Sequence, residues 1–170
     1  MAEEIRQANV MTDEETERLF NWGEDIFGAK SYALSWRRKE LHFFLDVDDE
    51  PLSHVGLLKH EVSVGGRPLM VAGLGGVVTR PEAQGRGYAR RLVKHAAAFF
   101  TQEWKVEAGL LFCLQRMVPY YASLGWQTLR QPVLIEQPHG EVESPLPVMV
   151  LPCNGRTWPD GEVNLQSRPW

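Results

Sequence analysis

Val77-Val78-Thr79-Arg80-Pro81 runs toward Gln84-Gly85-Arg86-Gly87-Tyr88-Ala89, and the apolar positions beyond, Leu92, Val93, Ala96, Ala97 and Phe100, recur at the spacing of one helix face. The stretch reads as a strand ending at Thr79, a glycine-rich turn, and an amphipathic helix opening near Gly87. In such a unit the N–H groups of the turn have no intrahelical partners. Glycines let a ligand approach the backbone, and the new helix presents its positive end at the same place. A pyrophosphate fits that requirement. No Gly-Lys-Ser/Thr follows, as a P-loop needs, and Arg90 occupies the third glycine position of the dinucleotide fingerprint, so both common nucleotide motifs are disfavoured.

Working outward, Pro68 to Thr79 and Leu52 to Val64 read as two long antiparallel strands joined at Gly65-Gly66. Strand signals begin earlier, at His42-Phe43-Phe44-Leu45, and Asp46 to Pro51 has turn composition. Thr12 or Asp13 caps an expected helix reaching Trp22, and a second short helix is expected over Tyr32 to Arg38. Downstream, Gly109 to Leu114 fits a buried strand and Val118 to Leu124 a short helix stopped by Gly125. Trp126 to Ile135 and Leu146 to Leu151 fit late strands. The tail from Pro152 to Trp170 has turn chemistry. An antiparallel group, a strand–turn–helix–strand unit and a closing hairpin make a mixed-sheet α/β domain.

Composition bounds the function. A length of 170 residues suits one domain, so residues 1–170 are read as a single unit, and 44% hydrophobic residues supply a core for it. With 18 basic against 22 acidic side chains, no global field exists to hold a nucleic acid or an anionic bilayer. No apolar stretch approaches the roughly 20 residues of a membrane span. Cys113 and Cys153 are too few for a disulfide framework, no basic-then-apolar leader precedes the polar Met1 to Arg6, and a cytoplasmic location is expected. No His/Cys grouping has metal spacing, so no metal is implied.

The run Val78 to Ala89 resembles the GNAT acetyltransferase motif Gln/Arg-x-x-Gly-x-Gly/Ala, matched at Gln84, Gly87 and Ala89. Tyr120-Tyr121-Ala122-Ser123-Leu124-Gly125-Trp126 is similar to that family's aromatic-Tyr, three residues, Gly-aromatic segment. The resemblance covers nearly the whole chain. It implies a GNAT fold, in which a mixed, mostly antiparallel central sheet is flanked by helices, with acetyl-CoA as cosubstrate. Gln84, Gly85, Arg86, Gly87, Tyr88 and Ala89 would then cradle the pyrophosphate, and backbone groups of Val77, Val78 and Thr79 would hold the pantetheine arm and thioester. Ser53 to Leu58, Val64 to Gly66 and Trp158 to Gly161 look like rhizobial nodulation N-acyltransferases. Tyr121 to Ser123, Gly125-Trp126 and Trp170 are similar to aminoglycoside 2'-N-acetyltransferases. These resemblances imply a small-molecule primary amine as acceptor, aminoglycoside-like in the second case, and direct transfer in a ternary complex. They leave open a longer acyl donor, a coenzyme A-binding module without turnover, and a homodimer.

Amine acetylation needs the thioester and amine held in line, a stabilised oxyanion, a neutral nucleophile and a proton for the departing thiolate. Tyr121 is the candidate general acid, because a phenol of pKa about 10 keeps its proton at neutral pH; read without the motif, it is an aromatic packing over the core. The base is open. Where related aminoglycoside enzymes carry a glutamate this chain reads Gly73-Leu74-Gly75-Gly76, and His54, His60 and Glu61 are the alternatives, beside a water-mediated route. The resemblance also puts Trp170 at the acceptor site, with its indole as anchor and its α-carboxylate facing an ammonium group. The acidic Glu24-Asp25 and Asp46 to Glu50 clusters would suit a cationic acceptor.

Overall fold

In the computed structural model, which describes residues 1–170, the hairpin expected around Gly65-Gly66 forms the centre of the sheet. Its strands, β3 (Glu50–Val64) and β4 (Arg67–Thr79), pair antiparallel from Val64↔Arg67 to Ser53↔Thr79. Gly65 and Gly66 have φ of 57° and 81°, the positive values that a two-residue turn matched to strand twist requires. Near the far end the ladder slips. Gly56 faces Gly75 whereas His54 faces Val78, which leaves one extra residue on β4. Gly76 sits in that bulge with φ 59°.

The first half of β3 pairs with β2 (Leu41–Val47), and β2 with β1 (Glu3–Ala8). The second half carries β10 (Val163–Asn164), then β7 (Val133–Gln137) and β8 (Gly140–Glu143). On the other side β4 runs parallel to β5 (Ala108–Phe112), which pairs with β9 (Val148–Pro152), and β9 with β6 (Gln127–Thr128). This is the expected mixed, mostly antiparallel sheet.

Both faces of β2 are covered, so it is buried along its whole length. By strand alternation Phe43, Leu45 and Val47 face the larger core under α2 (Tyr88–Gln102), whose Leu92, Val93, Ala96 and Phe100 form the stripe read from the sequence. His42 and Phe44 face the other way, where α1 (Asp13–Phe20) lays Leu19 against Phe44. Thr12 caps α1 with a complete capping box: its hydroxyl accepts from Glu15 N–H, and the Glu15 carboxylate accepts from Thr12 N–H. Such a cap contributes about 1 kcal/mol. α2 is the crossover between the parallel strands β4 and β5, and α3 (Val118–Ala122) is a short helix before Gly125, whose φ is 96°. No helix is long and apolar enough to cross a membrane.

Three local expectations need correction. Tyr32 to Arg38 is not a helix: a single 3-10 turn over Lys30–Tyr32 ends at Ala33, whose φ of 51° is left-handed. Trp126 to Ile135 is not one strand but two, β6 at one edge of the sheet and β7 on the opposite side beside the edge strand β8, with Pro132, which has no N–H, in the break. The strand β2 continues to Val47, so the turn is only Asp48-Asp49, both with positive φ. Within the turn-rich tail, β10 joins the sheet and Trp170 is buried.

Candidate active site

Beyond Leu74↔Leu111 the parallel pair β4 and β5 parts: β4 enters its bulge at Gly76 and runs on to Thr79, whereas β5 ends at Phe112. From Gly75 to Thr79, β4 therefore has no strand partner on the side of β5. Loss of a partner strand exposes backbone donors and acceptors that an extended ligand can use as a replacement strand. Val77 lines the resulting cleft. The Val78 carbonyl accepts from Ser53 Oγ at 3.0 Å and the Thr79 carbonyl from Gln84 Nε2 at 3.0 Å, so the side chain of Gln84 folds back onto its own strand.

The turn behaves as its composition implies. Gly85 and Gly87 have φ of 82° and 78°, and no atom stands within 4 Å of where a Cβ would lie on either. The helix α2 starts without a side-chain cap, and the N–H groups of Gly85, Arg86, Gly87, Tyr88, Ala89 and Arg90 donate to no acceptor in the protein. Arg86 is exposed. Arg91 is drawn to Glu3 at 2.6 Å, and the buried Tyr88 ring leaves only its backbone for a ligand, its hydroxyl donating to Glu3 at 3.2 Å. An uncapped helix start with six consecutive free donors suits a phosphate.

On the other side of the splay a cleft of about 1220 Å³ brings together Gly75, Gly76, Val77, His42, His54, Lys39, Tyr121 and Trp170. Residues Gln84 to Ala89 do not line it, so the glycine-rich turn and the cleft lie apart, joined by the last residues of β4.

Tyr121 is buried against Tyr120 and Trp126, with ring centroids 5.0 and 6.4 Å away. Its phenol has no hydrogen-bond partner, and burial, with Tyr120 and Cys113 beside it, pushes its pKa well above the usual tyrosine range. The proton therefore stays on the oxygen at any ordinary pH. Tyr121 is part of the core and also lines the cleft.

Trp170 lies flat on β4: a Cβ on Gly73 would stand 2.3 Å from its ring, so only glycine admits the indole there. Its Nε1 donates to the Leu110 carbonyl at 3.1 Å, and Phe112 meets the ring edge-on at 5.8 Å.

The histidines separate by their hydrogen bonds. His60 accepts from Arg37 on Nδ1 at 2.9 Å and donates from Nε2 to the Leu165 carbonyl at 2.8 Å, so both its nitrogens are engaged, and it lies outside the cleft wall together with Glu61. His54 is fully buried, with Nδ1 2.7 Å from the Gly76 carbonyl and Nε2 2.8 Å from His42 Nδ1. Burial, outweighing the bond to Gly76, lowers its pKa to about 3. Burial and the charge of Lys39 also lower that of His42, opposed by Glu15.

Sequence reasoning passed over two residues here. His42 is a polar residue inside an apolar strand, a signal that could have been weighed, but its approach to His54 depends on a register that pairs His42 with Gly56 and Phe44 with His54. Lys39 gave no signal. Its stem lies across Gly56 and Gly75, where a Cβ would stand 2.4 and 2.6 Å from it, and burial lowers its pKa to about 8. The acidic clusters divide: Asp25 lines the cleft, whereas Asp46 pairs with Arg6 at 2.6 Å and Glu50 with Arg18 at 2.5 Å, away from it. Around the cleft Lys30, Arg37, Arg38, Lys39 and Arg116 outnumber Asp13 and Asp25.

The family model described as an acetyltransferase (GNAT) domain matches residues 7–129. Among solved structures, a GNAT family acetyltransferase from Brucella melitensis in complex with acetyl-CoA is 18% identical with a TM-score of 0.58, over 95% of this chain and 94% of that one. A GNAT family N-acetyltransferase (YhbS) from Escherichia coli in complex with CoA is 18% identical with a TM-score of 0.60, over 96% and 89%. A GCN5-related N-acetyltransferase from Kribbella flavida is 18% identical with a TM-score of 0.51; the match covers 74% of this chain but 33% of that longer one. At these identities the likeness is one of fold. No curated protein matches the sequence significantly.

Proposed function

The chain belongs to the acetyltransferase (GNAT) domain family, and from that premise we propose that it transfers the acetyl group of acetyl-CoA to a primary amine of a small molecule, directly, in a ternary complex. The observation that carries this reading is the strand β4 itself. Its last residues, Gly75 to Thr79, lack a partner on the side of β5; they open at Gly75–Val77 into a cleft containing Tyr121 and lead past Thr79 to six unclaimed N–H groups at the start of α2. A cosubstrate with a pyrophosphate at one end and a thioester at the other spans such a path.

In this reading Gly85 to Ala89 bind the pyrophosphate through the backbone, and Val77, Val78 and Thr79 replace the missing strand contacts along the pantetheine arm. Tyr121 donates its proton to the departing thiolate, whose charge the apolar surroundings also disfavour. Trp170 walls the acceptor side. Backbone donors at the bulge, aimed at the developing oxyanion, would contribute about 3–4 kcal/mol each to the transition state.

Among amines, the excess of Lys and Arg over Asp in the cleft favours an acceptor of low positive charge, or one with an anionic group, over a polycationic aminoglycoside. An acetylation screen with an aminoglycoside, a polyamine, α-amino acids and short peptides, reading thiol release from acetyl-CoA, tests this. Turnover of the aminoglycoside alone would contradict the charge argument, and no thiol release with any amine would leave a coenzyme A-binding module as the better account.

A further inference from the structure

Of the four nitrogens in the His42–His54 pair, three are committed by hydrogen bonding. The Gly76 carbonyl can only accept, so His54 Nδ1, 2.7 Å away, must carry a proton. In the neutral ring its Nε2 is then a lone pair, and the contact of 2.8 Å to His42 Nδ1 requires the proton on His42. His42 is thereby fixed as the Nδ1–H tautomer. Its Nε2 is left as a lone pair with no partner in the protein, on a residue that lines the cleft beside Gly75 and Gly76. The chain of bonds starts at the β4 bulge, so the backbone conformation that shapes the thioester end also orients the imidazole.

We propose that His42 Nε2 is the general base of the acetyl transfer and that His54 is a positioning residue holding it in the active tautomer; this rests on the acetyltransferase reading above. The charged and titratable groups around His42 are His54 on β3, Lys39 just before β2 and Glu15 on α1, and the ring of Phe44 stacks 6.2 Å away. His42 Nε2 takes one proton from the acceptor ammonium, which leaves a neutral amine. The amine lone pair forms the N–C bond and the C–S bond breaks. Tyr121 gives its proton to the thiolate and regains one from the amide nitrogen, and His42 releases its proton to solvent. Protons and charge balance, and no further reactant is needed. His60 and Glu61 drop out as bases because neither reaches the cleft, and His54 because both its nitrogens are bonded.

Two measurements test this. Long-range 1H–15N spectra of histidine-labelled wild-type protein at pH 7.5 are expected to show both His42 and His54 as Nδ1–H tautomers, the minor form of free histidine; an Nε2–H tautomer at His42 overturns the proposal without any variant. Then kcat is followed against pH for the amine that releases thiol fastest in the screen, with the melting shift caused by acetyl-CoA recorded for each protein. His42→Asn should keep the acetyl-CoA shift, lose on the order of 10²-fold in kcat and lose the acidic limb of the profile. His54→Asn should move the midpoint of that limb, which a purely structural role would leave in place. A retained acetyl-CoA shift with kcat and limb unchanged in His42→Asn overturns this inference alone. A wild-type protein with no acetyl-CoA shift overturns the acetyltransferase reading and the inference together.

Discussion

The Gly76 carbonyl oxygen lies 2.7 Å from Nδ1 of His54, and that contact couples the backbone bulge of β4 to a buried imidazole that must remain neutral. It depends on a left-handed residue with a bare Cα: a Cβ at Gly76 would stand 3.2 Å from His54 Cε1 as well as straining a φ of 59°.

The first prediction follows from this burial. The folded-state pKa of His54, about 3, lies below the ordinary 6.5 of the unfolded chain, and that of His42 is lowered too. Between these values the unfolded chain binds more protons than the folded one. Stability is therefore full above pH 6.5 and falls as pH drops through that value, by about 1.4 kcal/mol per pH unit for each extra proton bound. Urea unfolding at pH 7.5, 6.0 and 5.0 should show this decline, and His54→Asn should flatten it. An equal slope in the variant would mean that the decline comes from other groups.

The second prediction separates two adjacent phenols. Tyr121→Phe should keep acetyl-CoA affinity and lower kcat on the order of 10²-fold or more, as for loss of a positioned acid. Tyr120 carries a buried hydroxyl with no hydrogen-bond partner, so Tyr120→Phe should leave turnover nearly intact and stability unchanged or raised. Equal kinetic losses would show that Tyr121 contributes packing and not a proton.

These residues show how far the sequence could be read. The turn and α2 were legible because their signal is local: glycines followed by a 3.6-residue apolar repeat. β1 and β8 were not. Their residues, Glu3 to Ala8 and Gly140 to Glu143, are largely polar or exposed edge positions, which carry no alternating pattern to find. Tyr121 was legible through its motif. His42 and Lys39 were not, because what brings them to the cleft is a strand register and a pair of facing glycines, Gly56 and Gly75, and both are products of long-range pairing.

The third prediction concerns Trp170. Its ring covers Gly73, and its Nε1 donates to Leu110, so replacing it with Ala should cost about 3–5 kcal/mol of stability through lost packing. Trp170→Phe keeps most of that packing. In the proposed site it should raise KM for the acceptor while acetyl-CoA affinity stays nearly constant. An unaltered acceptor KM in Trp170→Phe, with the protein folded, would remove Trp170 from the acceptor wall.

The most direct test of the central claim is the melting temperature with and without acetyl-CoA, for the wild type and for Gly87→Val. The free N–H groups at the start of α2 predict binding. At a hundredfold excess over Kd the linkage contributes about 2.7 kcal/mol, a rise of about 5–11 °C for a chain of this size. Gly87 has φ 78°, where a β-branched residue is strained, so the variant should lose most of the shift. A rise in the wild type that disappears in Gly87→Val is the expected result; no rise at millimolar acetyl-CoA, or an equal rise in both proteins, would contradict the account.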